Sequence, residues 1–261
     1  MRKHVLGSIV LGAILALASV AARADDVIKF GVAAEPYPPF SSKDASGKWV
    51  GFEIDLMDAV CAQMQAKCQL VETAWDGIIP ALQAKKIDVI WSSMSITDER
   101  KQKIDFTDKY YNTPAAFIGP KSEEIKIDFS NPDSLKGKII GVQISTIHAN
   151  FVNKYFGKTA TIKTYDTQDN ANADLAAGRV DLVLADIIAL QDFLKTDQGK
   201  DFEVKATAPN DPIFGEGVGG GVRKDDPALR QKLNAAIKAI RSDGTYNKIA
   251  KKYFDFDVYG S

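Results

Sequence analysis

Apolar residues along this chain fall into short unbroken runs separated by amphipathic stretches. That is the pattern of strands buried on both faces between covering helices. Two stretches repeat it closely, WDGIIPALQAKKIDVIWSS at 75–93 and TQDNANADLAAGRVDLVLAD at 167–186. Each runs from a polar start through a helix and a short turn into an apolar strand. Each also carries an acid one residue into that strand, Asp88 or Asp181. Gly178 suits the C′ position of the second helix. Further strand-like runs are VIKFGVA, CQLVE and KIIGVQI, and further helical spacings are Phe52 to Met64 and IHANFVNKYF. Strand and helix alternating in this way predict parallel sheets. Two such units, each with a polar cluster where its strand ends, predict two similar lobes rather than one continuous sheet.

Breakers mark the boundaries. TDKYYNTPAAFIG, about 107–119, and TAPNDPIFG, about 207–215, read as extended crossovers. The chain after the second starts with a glycine-rich strand and ends in helices. The rival arrangement is two independent domains in sequence, but no disordered linker separates the halves.

The N-terminus changes the compartment. Arg2, Lys3 and His4 precede an apolar run from Val5 to about Val20, and Ala22-Arg23-Ala24 follows. A basic region, a short hydrophobic core and a small-x-small site mark a cleaved secretory peptide. The alternative, a membrane anchor, needs about 20 apolar residues. Cleavage after Ala24 removes Arg2, Lys3 and Arg23 and no acid, which takes the formal charge from −1 to −4. No basic run then remains to suit nucleic acid.

Candidate chemistry collects where the apolar runs end. Ser92, Ser93, Ser95 and Thr97 follow IDVIW, at the C-terminal strand edge where open α/β sheets bind ligands. Arg100, one turn on, offers a planar fork that matches a carboxylate. Hydroxyls with a guanidinium, and no base or metal ligand beside them, grip an anion rather than run a reaction. Ser145 and Thr146 sit at the start of a helix, as caps, as anion donors, or as both. Asp186 ends the strand VDLVLAD, where it either caps the next helix or meets an ammonium group. Tyr37 and Trp75 follow successive strands, and they either fill the core or sandwich an apolar stem. His148 lacks a third group to make a catalytic triad, no Cys/His metal spacing is present, and no cofactor motif appears.

SSMSITDER, with WDGIIPAL before it and IDFTD after, resembles the bacterial solute-binding proteins of family 3. These are polar amino-acid receptors, especially lysine/arginine/ornithine, histidine and opine binders. YPPF, GFEIDL, GVQIST, GRVDLVLAD and DGTYNKIAKKYF extend the resemblance over nearly the whole mature chain. It implies a type II periplasmic binding-protein fold of two α/β lobes, each a mainly parallel sheet flanked by helices, joined by a two-segment hinge. Lobe one would be 25–112 plus 211–261, and lobe two 113–210. The implied protein is a periplasmic monomer without cofactor or enzymatic activity. It captures a free polar or basic amino acid, or an opine, by hinge closure and delivers it transiently to an inner-membrane ABC permease.

The resemblance also assigns residues. Ser93, Ser95 and Arg100 would hold the α-carboxylate, with Ser145 and Thr146 completing the grip. Asp186, helped by Ser93, would hold the α-ammonium, and Tyr37, Trp75 and Ser92 would shape the side-chain pocket. Glu35 would meet a cationic side chain, although GVAAEPYPPF is one residue longer than the family pattern and also brings Ala33 to that place. Cys61 and Cys68 match a family disulfide, in keeping with an oxidising compartment; two buried thiols are the alternative. A second reading is an enzyme like cyclohexadienyl dehydratase on the same scaffold, with Glu35 or Glu216 as proton donor.

Overall fold

The apolar runs become the centres of two five-stranded sheets. In the computed structural model, which describes residues 27–260, the leader expected at 1–24 lies outside the described residues. The first sheet has the order Cys68–Thr73, Ile28–Ala33, Val89–Ile90, Gly221–Val222, Asp105–Phe106. The second has the order Phe202–Thr207, Ala115–Pro120, Leu182–Asp186, Ile139–Gln143, Thr161–Tyr165. Each sheet buries an apolar cluster on both faces, so its inner strands have no polar side. Helices Phe52–Gln63, Pro227–Ser242 and Thr245–Ala250 cover one face of the first sheet, and Ile78–Gln83 covers the other. Helices Ile147–Phe156 and Gln168–Ala176 lie on opposite faces of the second.

Strand direction follows from where the chain comes from. Strands fed by a helix in the same lobe run parallel: Ile28–Ala33 with both Cys68–Thr73 and Val89–Ile90, and Ile139–Gln143 with both Leu182–Asp186 and Thr161–Tyr165. Strands fed by a crossover arrive from the opposite side. Gly221–Val222 is antiparallel to both its neighbours, and so is Ala115–Pro120. Both sheets are therefore mixed. The stretch read as a crossover over 107–119 also divides, because its end from Ala115 is already a strand of the second sheet.

The two crossovers run side by side. Tyr110 N–H donates to the Val218 carbonyl, and Val218 N–H donates to that of Tyr111, each at 2.9 Å. Cys61, on the last full turn of its helix, is bonded to Cys68 at the start of the next strand. Among the described residues, no helix is long and apolar enough to cross a membrane.

The repeated helix–strand modules are alike in detail. Gly178, at φ 67°, follows its helix, with Arg179 N–H on the Asp174 carbonyl and Gly178 N–H on that of Leu175. Lys85, at φ 59°, ends the other helix with the same two bonds, Lys86 to Ala81 and Lys85 to Leu82. This double closure satisfies carbonyls that the helix end leaves free. The acids repeat as well. Asp88 accepts from Lys29 N–H at 3.0 Å and Asp181 from Ile139 N–H at 2.7 Å, each tying its strand to a parallel neighbour.

Candidate functional site

The ends of these strands converge on a cavity of about 560 Å³, including its part open to solvent. Tyr37, Glu35, Trp75, Ser92, Ser93, Ser95 and Arg100 line it from the first lobe, and Thr146, His148 and Asp186 from the second. Ser145 does not line it. Its side chain is exposed, and only its carbonyl turns inward to Arg100. Glu216 is elsewhere too, on the surface and paired with Lys101 at 2.6 Å. Ala33 lines the cavity beside Glu35, so the longer YPPF loop brings both to the wall.

Arg100 is buried, 9% exposed, just inside the helix capped by Thr97. It donates through Nη1 to the Ser95 carbonyl at 3.0 Å and through Nη2 to the Ser145 carbonyl of the other lobe at 3.1 Å. Burial lowers its pKa to about 10, which leaves it a cation at neutral pH. The Trp75 ring lies 5.6 Å from its guanidinium, while the indole N–H donates to the Ile144 carbonyl across the cleft at 3.1 Å. A carboxylate would find here the unused edge of a held fork.

The hydroxyls have other work. Ser93 stands at φ 51°, in the left-handed region that disfavours a side chain. Its N–H and its hydroxyl both donate to the buried Glu53 carboxylate, at 2.8 and 2.9 Å, and hold the turn open. The Tyr110 hydroxyl donates to the same carboxylate at 2.5 Å. Burial drives the Glu53 pKa up, against the pull of these donors. Ser92 accepts from Ala33 N–H at 2.9 Å and joins two strand ends. The Thr146 hydroxyl donates to the Gln143 carbonyl at 2.7 Å and accepts from Ala149 N–H at 3.1 Å. What Thr146 offers an anion is therefore the helix N-terminus it caps, with its first unpaired N–H groups.

Asp186 stands at the N-cap position of the helix Ile187–Leu194, but its side chain makes no capping bond. Instead its Oδ2 accepts from the Tyr37 hydroxyl of the first lobe at 2.6 Å. Burial, reinforced by this carboxylate, pushes the Tyr37 phenol well above its usual range, so it remains a donor. Glu35 Oε2 and His148 Nε2 are buried polar atoms without a hydrogen-bond partner.

Sequence reasoning passed over Glu53, His148 and Gln168. Glu53 gave a faint signal, an acid between Phe52 and Ile54 on a buried helix face. Gln168 lines the cavity from the first turn of the second module, the counterpart of Trp75 in the first, so the internal repeat itself pointed there. His148 was set aside for want of catalytic partners, a test that a binding site does not require.

A family model described as bacterial extracellular solute-binding proteins, family 3, matches residues 28–256. The chain is 45% identical to the L-arginine-binding protein of Pseudomonas aeruginosa, an alignment that covers 98% of this chain and 97% of that one. It is 44% identical to the lysine/arginine/ornithine-binding periplasmic protein of Escherichia coli K12, with both chains covered in full. Among solved structures, an ancestral arginine-binding protein bound to arginine matches with a TM-score of 0.79 and 35% identity, over 87% of this chain and 98% of that one.

Proposed function

The chain belongs to the bacterial extracellular solute-binding proteins of family 3, and from that membership we propose that it is the periplasmic receptor of an amino-acid ABC importer. Its ligand is a free basic amino acid, and it is a binding protein rather than an enzyme. It is exported with cleavage after Ala24, closes lobes 25–112 plus 211–261 and 113–210 on the ligand, and meets its permease transiently.

The charge pattern of the cavity carries the reading. Arg100 takes the α-carboxylate. Asp186, with one oxygen held by Tyr37, takes the α-ammonium. A neutral amino acid would leave Glu35 Oε2 buried and unpaired, a loss of roughly 1–3 kcal/mol. A cationic side chain supplies the missing donor, and Tyr37 and Trp75 flank its stem. The enzyme reading has lost one of its two acids, because Glu216 pairs with Lys101 away from the cavity.

Thermal melting with each L-amino acid and with opines tests this. Arginine, lysine or ornithine at 100 times Kd should add about 2.7 kcal/mol of stability, or roughly 5–10 °C in Tm for a protein of this size. If acidic or apolar amino acids stabilise more than basic ones, the assignment of Glu35 is wrong. If no amino acid shifts the transition, the receptor reading falls.

A further inference from the structure

We propose that His148 holds a proton against Asp186 in the free protein and gives it up when a ligand ammonium takes that place. Amino-acid capture is then coupled to proton release, and it weakens on the acid side of neutrality. The inference rests on the receptor reading above.

His148 is the second residue of the helix Ile147–Phe156 and is only 6% exposed, yet it lines the cavity and its Nε2 has no hydrogen-bond partner. That nitrogen lies 3.6 Å from Asp186 Oδ1. The other carboxylate oxygen, Oδ2, already accepts from Tyr37. Oδ1 is thus the oxygen left for a cation, and His148 Nε2 is the nearest group able to supply one.

The surroundings fit an exchange of one cation for another. Asp186, from the end of its strand, is the charge beside the imidazole, and Glu35 and Arg100 share the cavity from the first lobe. Gln168, from the neighbouring helix, is neutral, and Phe214, from the second crossover, packs its ring 6.3 Å from the imidazole. Asp211 of that crossover is occupied by Lys154 and Tyr155. Without ligand, a protonated His148 offsets the Asp186 charge. An arriving ammonium would face that imidazolium at close range, and the N-terminus of the helix that carries His148, which disfavours positive charge, eases loss of the imidazole proton. The proton leaves Nε2 for solvent, and the freed lone pair accepts an ammonium N–H while Oδ1 accepts another. The net charge of the site is unchanged by the swap. Because imidazoles change charge between about pH 5 and 8, the exchange falls in the range that an exported protein meets.

L-Arginine is a suitable probe, since none of its own groups titrates in that range. Titration calorimetry from pH 5.5 to 8, repeated in buffers of different ionisation enthalpy, counts protons released per ligand bound. Release should approach one proton at the acid end and vanish at pH 8, with affinity falling by up to about tenfold per pH unit. His148→Gln keeps a polar atom near the Nε2 position but cannot titrate. Whatever affinity it has at pH 8, it should keep that affinity down to pH 5.5 and release no proton on binding. Glu53, whose pKa burial raises, is the other candidate to titrate here, and it is intact in that variant. Proton release that persists in His148→Gln therefore overturns the proposal, and so does arginine binding without release in the wild type. Absence of arginine binding at every pH would overturn the assignment of a basic ligand but not the receptor reading, and the same titration is then made with the amino acid that stabilises the protein most. Should the variant not fold, proton NMR of the wild-type His148 imidazole decides the question: it should titrate in the free protein and stay neutral with arginine bound, and the same titration with and without arginine overturns the proposal.

Discussion

Arg100 spends two donors on carbonyls, one in each lobe. The rest of its fork is thereby aimed rather than free to rotate. Lysine in its place would carry the charge but could not bond two carbonyls in a plane and still present a parallel pair to a carboxylate. Arg100→Lys should weaken arginine binding more than tenfold in titration calorimetry while Tm of the free protein changes little; unchanged affinity would remove Arg100 from the site. The position of Arg100 was legible in the sequence, because a strand end followed by a capped turn fixes where the side chain must lie. The work of Ser93 and Thr146 was not. Hydroxyls near a strand end look alike in a sequence, and which of them is occupied depends on Glu53 and Gln143, which other elements bring alongside. A serine at φ 51° is likewise invisible until its carboxylate partner is seen.

At the scale of elements, the two helix–strand modules were readable down to their acids, since helix, turn and strand are local and each carries its own signals. Their helix ends differ in one respect. The left-handed position after the helix is Gly178 in one module and Lys85 in the other. A left-handed residue other than glycine costs about 1–2 kcal/mol, offset in part by the greater freedom glycine has when unfolded. Lys85→Gly should therefore stabilise by roughly 0.5–1 kcal/mol, seen as a rise of a few degrees in Tm with ligand affinity unchanged. Destabilisation would mean that the Lys85 side chain does more than the backbone requires. Strand direction was the feature the sequence hid. A run such as GGGV reads the same whichever way it is entered, and only the passage from the other lobe makes it antiparallel.

Across the whole molecule, the bonds that join the lobes include Tyr37 to Asp186, Trp75 to Ile144, Arg100 to Ser145 and Asn150 to Glu99. Each joins residues far apart in the sequence, which is why the lobes were legible but the closed seam between them was not. The fold is that of the type II periplasmic binding proteins. In it, Gly221–Val222 sits between Val89–Ile90 and Asp105–Phe106, while every strand of the second sheet lies between residues 115 and 207. That placement has a consequence for the order of synthesis. A chain growing from its N-terminus makes most of the first sheet early but cannot join Asp105–Phe106 to it until Gly221–Val222 has emerged, and pairing across such a separation is slow. A chain halted at residue 210 should then protect amides of 139–143 and 182–186 from hydrogen exchange while those of 105–106 exchange freely. Equal protection of both sets would show that the first sheet forms without its late strand. If the order holds, the domain begun first is the last to become resistant to proteases, and the core nearest the start of the chain stays unfinished until translation is nearly complete.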